Sequence, residues 1–363
     1  MARLGQAVAP NQRKNPEEMP ERETDHSEYP KTEGPSVLKL SKTDWPPTAC
    51  RLCLGAWLLA LMAPPALAQE QRQSRDDAWW TGPMLANSAE TLTPGHMLVE
   101  PYVYDAMSHK TDAFGSRAYV LYGVTDNLTV GFIPIVGYNR VSGGPNSSGI
   151  GLGDQILQAQ YRLTRFHEGS WVPTVSLLLQ QSLPTGHYDR LGSRPANGMG
   201  SGAYATTLGV DAQTYFWMPN GRILRMRLNV TGAVAGHADV DVDGVSVYGT
   251  GPSFHGRAHP GDNFYVDTSF EYSLTTRWVL ATDVIYSHNE STHVTGVDQP
   301  SGPLGLSLPV RMKSGSSDTV GYAPAVEYSW TPNIGVLLGV RVLAGGHNTQ
   351  RSVTPAIAIN YVH

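Results

Sequence analysis

Three short segments of the sequence carry residue types from which metal or catalytic sites are built. Asp239, Asp241 and Asp243 alternate ahead of Gly244, as at the start of a calcium-binding loop. The twelfth position of such a loop would be Thr250 instead of the bidentate Glu, so the motif is incomplete. We therefore treat the three Asp residues as weak metal candidates and expect no bound metal or cofactor.

The two other segments contain histidine. His255 and His259 have the spacing that binds metal on a helix, but the prolines and glycines around them exclude a helix, and we expect loop histidines. Ser287 and His288 could supply the nucleophile and base of an outer-membrane lipid hydrolase. Adjacent strand residues point to opposite faces, however, so these two side chains cannot pair without other geometry. We expect no enzyme activity, and the hydrolase stays as an alternative.

The elements that position these residues are β-strands joined by a repeated hairpin unit. Residues 122–130, 272–280 and 328–336 each contain Tyr, an alternating run, a Thr-led turn and a second alternating run. Asp-Asn and Pro-Asn in two of these turns favour tight reversal, because proline presets φ and Asn or Asp side chains bond their own backbone. Alternation on both sides of a short turn predicts a hairpin.

The count of strands and turns predicts the architecture. Five turns of about three to seven residues alternate with six longer loops, which gives about twelve antiparallel strands with both termini on the short-turn side. The first two strands are expected at about 96–105 and 116–124, separated by a loop. Aromatic residues at strand ends favour a transmembrane up-and-down β-barrel over a soluble β fold with an inward apolar face. Other pairing of residues 239–248 and 304–312 would give about ten or fourteen strands.

Charged and polar residues alternate with large apolar residues on these strands, so in a membrane barrel they would face the lumen. The parity of residues 239–243 continues the seventh strand and places their Asp side chains on this same lumen face. Two interpretations remain open, a paired network that fills the barrel and a polar path for a solute. The candidates for lining the lumen are Glu100, Asp154, Gln158, Arg162, Arg225, Arg227, Glu271, Glu327 and Arg341.

The N-terminal part of the chain reads as an export signal. Residues 1–49 form a disordered leader or reflect a translation start assigned too early, with the start expected nearer Val37 or Leu38. Residues 50–68 form a signal peptide, because a short apolar run is followed by a small-residue site ending at Ala68. Residues 69–95 form a periplasmic lead-in, too short for a folded plug, that could contact or partly occlude the lumen; residues 96–363 form the barrel.

Composition excludes several classes of protein. The 363 residues have formal net charge −5 and no polybasic segment, which argues against a nucleic-acid partner. After the signal peptide no continuous apolar run is long enough for a transmembrane helix. Both cysteines, Cys50 and Cys53, fall in the leader or signal peptide. Export without cysteine in the mature chain is typical of a bacterial envelope protein, and we expect the outer membrane.

Several short strand motifs stand out in the sequence, namely Thr93-Pro-Gly95, Val99-Glu-Pro-Tyr102, Tyr122-Gly-Val-Thr-Asp-Asn127, Gly151-Leu-Gly-Asp154 and Gln158-Ala-Gln-Tyr-Arg-Leu163. These motifs resemble a known family of bacterial outer-membrane barrels, the transporters assigned to the MetA-pathway of phenol degradation. The resemblance covers about residues 90–363 and supplies no catalytic or binding residue to carry over. It implies a barrel associated with the uptake of aromatic compounds.

Together these observations predict a porin-like channel for passive uptake of small molecules, aromatic or otherwise hydrophobic compounds among them. The expected partners are outer-membrane lipids, the barrel-assembly machinery and a small-molecule solute, with the oligomeric state left open. A structural or adhesive envelope barrel with a filled lumen is the first alternative. Tight pairing of the lumen charges would favour that alternative, because it predicts no conductance.

Overall fold

The computed structural model describes residues 72–242, 244–299 and 307–363. The leader and the signal peptide expected from the sequence lie outside the described residues. Within those residues, no helix has the length and apolar character needed to cross a membrane. Two single-turn 3-10 helices, Arg75–Asp77 and Pro195–Asn197, are the helical elements of this part of the chain.

Eighteen β-strands make up the described structure. In chain order they are β1 (Met97–Ser108), β2 (Thr111–Thr125), β3 (Leu128–Ile133), β4 (Ile135–Val141), β5 (Gly151–Leu152), β6 (Gln155–Thr164), β7 (Thr174–Leu183), β8 (Ala205–Trp217), β9 (Ile223–Ala235), β10 (Ala238–Asp241), β11 (Phe254–His259), β12 (Asn263–Ser273), β13 (Trp278–Asn289), β14 (His293–Asp298), β15 (Leu308–Lys313), β16 (Ser317–Thr331), β17 (Ile334–Gly345) and β18 (Ser352–Val362).

Fourteen of these strands form one closed antiparallel sheet, in which β18 returns to pair with β1. Strand β2 pairs with both β3 and β4, which are two halves of one strand interrupted at Pro134. In the same way β5 and β6 follow one another along the wall, so the sheet is a barrel of twelve strands. Closure satisfies the backbone of every strand without leaving an edge in lipid. The twelve-stranded barrel expected from the sequence is confirmed.

One loop expected from the sequence is absent from the barrel. Strands β1 and β2 were expected to be separated between about residues 105 and 116, but their ladder continues as far as Met107 opposite Asp112. Residues 109–110 alone connect the two strands. The polar residues of this stretch have low intrinsic β-propensity and therefore gave no strand signal. Cross-strand pairing nevertheless orders them, because context outweighs intrinsic β-propensity.

Side-chain alternation along the wall is opposite to that of a soluble protein. On β9, Leu228 and Val234 are exposed on the outside, whereas Arg225, Arg227 and Asn229 are buried on the inside. The same alternation recurs around the barrel and gives an outer belt of aliphatic and aromatic residues. An apolar exterior around a partly polar interior is what a barrel in a lipid bilayer requires.

The four remaining strands, β10, β11, β14 and β15, form a second antiparallel sheet on the long-loop side, which we call the outer sheet. Its inner face is apolar and packs Val240, Phe254 and Val294 together with Tyr188 of the loop after β7. Long loops lie outside the cell in outer-membrane barrels. The outer sheet therefore belongs to the extracellular end.

Two sequence-based expectations about this region were wrong. His255 and His259 lie on strand β11, not in a loop, because pairing with β10 and β14 orders the segment. Asp239 and Asp241 face outward, not into the lumen. The backbone leaves the strand at Gly236 and His237, and this interruption reverses the parity between β9 and β10.

Candidate functional site

The inner wall carries a buried ion cluster on β9 and β12. Arg225 donates from Nε and Nη2 to both carboxylate oxygens of Glu271, with Nε 2.6 Å from Oε2. The Nε atom of Arg227 lies 3.0 Å from the same Oε2 atom. Cross-strand register produces this cluster, because Arg225 lies directly opposite Glu271 and Arg227 opposite Ser269. Glu271 is 0% exposed and faces two guanidinium groups.

Most of the other residues expected at the lumen also face it, and each has a polar partner. Asn360 donates to Glu100 over 3.4 Å, and Gln180 donates to Gln158 over 2.7 Å. Arg341 donates to Thr354 over 3.3 Å. The remaining two, Arg162 and Glu327, contact the N-terminal segment described below. Whether these side chains guide a solute stays a prediction.

Asp154 lies at the top of the wall, where it holds the long loop between β7 and β8. Its Oδ1 accepts a hydrogen bond from the Gly186 backbone at 3.0 Å, and its Oδ2 accepts from the Ser201 backbone at 2.7 Å. The Ser201 hydroxyl donates to the same oxygen over 2.9 Å. One carboxylate thus ties both ends of the loop to the barrel rim.

Replacing Asp154 by Ala is expected to loosen this loop without unfolding the barrel. Hydrogen bonds to a charged acceptor contribute about 1.5–3 kcal/mol each, so amide exchange at Gly186 and Ser201 should accelerate at least about tenfold. Hydrogen exchange followed by mass spectrometry measures this directly. Asp189→Asn, a change in the same loop, is the matched control and should leave these amides unchanged. Equal protection in both variants would show that Asp154 does not hold the loop.

Residues 72–95, which we call the lumen segment, run inside the barrel. The backbone N–H groups of Thr81 and Gly82 donate to Oε2 of Glu327 over 2.8 and 3.2 Å. The N–H of Ala86 donates to Asp283 over 3.1 Å, and the Ala86 carbonyl accepts from Arg227 over 2.9 Å. These bonds fix the deepest part of the segment against β9, β13 and β16.

The two ends of the lumen segment lie at the short-turn end of the barrel. The Trp79 N–H donates to the Thr276 carbonyl in the turn between β12 and β13. On the way out, Arg162 bonds Glu90 over 3.1 Å. Gly95 then pairs with Gly123 before β1 begins. The segment therefore enters and leaves by one mouth, as a loop inserted into the barrel.

The inner wall is not polar all round. A cluster of inward-facing apolar and aromatic residues covers the side formed by β1 to β3, β12, β13 and β16 to β18. Met84 and Leu85 of the lumen segment pack into this cluster. The wall residues of the cluster are Tyr102, Tyr119, Ile133, Tyr265, Ala281, Ile285, Ala323, Ala325, Leu337, Ala356 and Ala358. Alternation along β18 places Ala356 and Ala358 inside, but small side chains alone do not indicate what packs against them.

Small residues on β17 leave the space that the lumen segment occupies. A Cβ atom added at Gly339 would lie 3.1 Å from the sulfur of Met84. A Cβ atom added at Gly335 would overlap Cγ2 of Thr81. Side chains of the segment thus lie against the wall backbone at positions where the wall has no side chain.

The enzyme-like residues do not form a catalytic arrangement. Ser287 accepts a hydrogen bond from Asn263 over 2.9 Å, whereas His288 contacts Asp318 at 2.8 Å. Cross-strand neighbours place the two side chains on opposite sides of the wall, since Ser287 lies opposite the buried Tyr265 and His288 opposite the exposed Phe264. The serine therefore has no base at this position.

The weak metal candidates are engaged in ion pairs. Asp239 lies 3.0 Å from Arg257, and Asp241 contacts both Arg190 and His255. The Arg190 hydrogen bond holds the pKa of the Asp241 carboxyl below its usual range. Among the described residues, no group of three or more His, Cys, Asp or Glu side chains could hold a metal ion. Asp243 lies outside the described residues.

Residues 108–360 match the model of a protein family described as "Putative MetA-pathway of phenol degradation". The chain belongs to this family. No curated protein sequence matches the chain. Membership of the phenol-degradation family agrees with the resemblance found in the sequence motifs.

The chain is similar to solved structures of outer-membrane proteins. The COG4313 outer membrane channel from Pseudomonas putida F1 is 15% identical over 77% of this chain and 100% of that chain, with a TM-score of 0.57. The transport unit of the autotransporter AIDA-I from Escherichia coli is 10% identical over 77% of this chain and 93% of that chain, with a TM-score of 0.36. This member of the phenol-degradation family is an outer-membrane β-barrel in contact with lipid.

Proposed function

We propose that the protein is a passive outer-membrane channel for small molecules, aromatic or otherwise hydrophobic compounds among them, and that the lumen segment is its gate. Family membership and the shared fold of a solved outer-membrane channel support a channel role. The solute and the barrel-assembly machinery are the partners that this role implies, besides the surrounding lipid.

The observation that carries the proposal is that a separable piece of chain, not the wall itself, fills the lumen. The lumen segment is linked to the wall by hydrogen bonds and packing, with no secondary structure beyond a single 3-10 turn. Withdrawing it breaks none of the strand ladders that hold the barrel together. Segments with few regular backbone bonds open at lower free energy than the strands around them.

The apolar side of the lumen supports the proposed solute class. Met84 and Leu85 occupy a surface that includes Tyr102, Tyr119 and Leu337. When the segment leaves, this surface becomes available to an aromatic or aliphatic molecule of similar size. Aromatic rings stack edge to face or offset, so the tyrosines favour an aromatic guest. The ion cluster on β9 and β12 can at the same time accept a polar substituent.

A barrel with a filled lumen is the second candidate. Its support is the burial of the inner carboxylates, because Asp267, Asp283 and Glu327 are each 0% exposed while the segment is in place. Lipid hydrolysis, by contrast, has no support from Ser287 and His288, which face opposite sides of the wall. We therefore propose that the protein is not an enzyme.

A reversible covalent lock distinguishes the two remaining candidates. Thr81→Cys combined with Gly335→Cys places two thiols at the closest approach of the segment to β17. Both native cysteines lie in the region expected to be removed with the signal peptide, so no other thiol competes. Planar-bilayer conductance is recorded before and after reduction, with and without benzoate. The Thr81→Cys single variant is the matched control.

We expect the oxidised double variant to be silent and the reduced form to conduct like the wild type, with benzoate lowering the conductance. Conductance that is identical in both redox states would contradict gating by the segment. A folded wild-type barrel that stays silent under all conditions would favour the filled structural barrel. Conductance that benzoate does not change would support a channel and exclude an aromatic site in it.

A further inference from the structure

The outside of the barrel carries two hollows, one above the other, on neighbouring strands. The outward apolar residues of β9 run from Leu224 to Val234. At about 3.3 Å per residue and a tilt near 40°, this run covers roughly 25 Å, the height of the apolar band of such barrels. His237 follows three residues after Val234 and therefore lies at the depth of the outer-leaflet headgroups.

The upper hollow lies on the outer face of the outer sheet. It has a volume of about 390 Å³ and is lined by His237, Arg257, His259, His293 and Thr295. Cross-strand pairing assembles it, because Arg257 lies opposite Thr295 and His259 opposite His293. The rings of His237 and His259 contact edge to face, with centroids 4.7 Å apart. Every residue of the upper hollow can donate a hydrogen bond to an anion.

The charge around the upper hollow is positive. Lys313 lies opposite His293 and Arg311 opposite Thr295 on the same exposed face. The acidic residue at the hollow is Asp239, which engages Nε of Arg257. The terminal nitrogens of Arg257 make no hydrogen bond to any side chain or backbone within the described parts of the chain, so they can reach a phosphate.

The lower hollow lies in the lipid-facing wall directly beneath, and we call it the wall notch. It has a volume of about 460 Å³ and is lined by Tyr204, Thr206, Leu208, Gly232, Val234, Ala235 and Gly236. Gly232 creates it, because it sits between Leu208 on β8 and Phe264 on β12. A Cβ atom added at Gly232 would meet nothing within 4 Å. The wall notch therefore offers an apolar recess at acyl-chain depth.

We propose that these two hollows form one binding site for the phosphorylated, multiply acylated glucosamine lipid of the outer leaflet, lipid A. A phosphate occupies the upper hollow, held by Arg257 and the three histidines, and an acyl chain lies in the wall notch. The complementarity is twofold, since cationic donors sit at phosphate depth and an apolar recess at chain depth. The chain joins the two at adjacent residues, because Gly236 lines the wall notch and His237 the upper hollow. The site faces the membrane and is separate from the lumen, so it does not depend on the proposed channel function.

Titration of the full-length protein purified from outer membranes, in a nonionic detergent, tests this site. Bis-phosphorylated lipid A is the probe, and an apparent Kd follows from the rise in the unfolding temperature with lipid concentration. Arg257→Gln removes a headgroup contact, and Gly232→Leu fills the wall notch from a position where an added Cβ atom meets nothing within 4 Å. Arg140→Gln, on the rim formed by β4, and Thr282→Leu, on the outer face of β13, are the matched controls.

We expect each of the two site variants to raise the apparent Kd by about fivefold to tenfold, and the controls to leave it unchanged. Dephosphorylated lipid A should bind more weakly to the wild type, and inorganic phosphate alone should not stabilise it. Equal affinity of both site variants and the wild type would overturn the proposal. Stabilisation by inorganic phosphate that matches lipid A would also overturn it, because the wall notch would then contribute nothing.

Discussion

Deleting residues 74–91 is expected to turn the barrel into a continuously open pore. The deletion removes the part of the lumen segment that bonds Glu327, Asp283 and Arg227, and it removes Met84 and Leu85 from the apolar side of the wall. Water then fills the lumen and solvates the carboxylates that the segment had satisfied. Planar-bilayer recordings should show a severalfold rise in mean conductance over the full mature chain.

The fold should survive this deletion. The strands keep all of their ladder partners, and β1 still closes on β18 through Leu98 and Val362. A Gly/Ser sequence of equal length in place of residues 74–91 is the control, because it keeps the bulk but removes the anchoring contacts. The Gly/Ser variant should show intermittent pore opening instead of a continuously open pore. An unchanged conductance in the deletion variant would place the conducting path, if there is one, outside the lumen.

The wall of the barrel was predictable because strand parity is a local property of the sequence. The alternation of Arg225 and Arg227 with Leu224 and Met226 fixes which side chains are inside, whatever the neighbouring strands are. The same rule placed Glu271 and Glu327 in the lumen before their partners were known. Parity does not give partners, however, because the register between strands depends on turns and loops elsewhere in the chain.

From the sequence, residues 69–95 could contact or partly occlude the lumen, but the path and the partners of the lumen segment could not be predicted from local pattern. It has no strand or helix periodicity, and several of its backbone N–H groups donate to side chains more than 100 residues away, such as Asp283 and Glu327. The small inner residues Ala323, Ala325 and Gly339 were visible in the sequence, but small residues inside a barrel can equally mark an empty channel. Only the inserted segment shows that they make room for Met84 and Leu85.

In the outer sheet, a single interruption of the strand makes the assignment of side chains to faces from sequence alternation wrong. The alternation of residues 239–243 looked continuous with β9, yet Gly236 and His237 fall outside both strands and shift the phase. A one-residue change of phase moves every following side chain to the other face. Asp239 and Asp241 consequently do not face the lumen. They lie on the exposed face and pair with Arg257 and Arg190.

Replacing Glu271 by Ala is expected to destabilise the barrel strongly. The substitution leaves Arg225 and Arg227 buried beside each other without their shared carboxylate. Removing one partner of a buried ion pair costs about 3–5 kcal/mol, because the remaining charge keeps its desolvation penalty. The lumen segment limits relief by water, since it covers this part of the wall and Trp80 lies over the Arg225 guanidinium, 4.4 Å from ring centroid to Cζ. Urea-dependent unfolding of the folded barrel in lipid vesicles measures the loss.

The matched control for Glu271→Ala is an exposed ion pair of the same chemistry on the outer sheet. Asp239→Asn breaks the exposed pair with Arg257 and should leave the unfolding midpoint unchanged, because water replaces the lost partner. Combining Glu271→Ala with deletion of residues 74–91 should recover part of the lost stability, since the opened lumen hydrates both guanidinium groups. Equal losses with and without the lumen segment would contradict the view that the segment keeps this cluster dry.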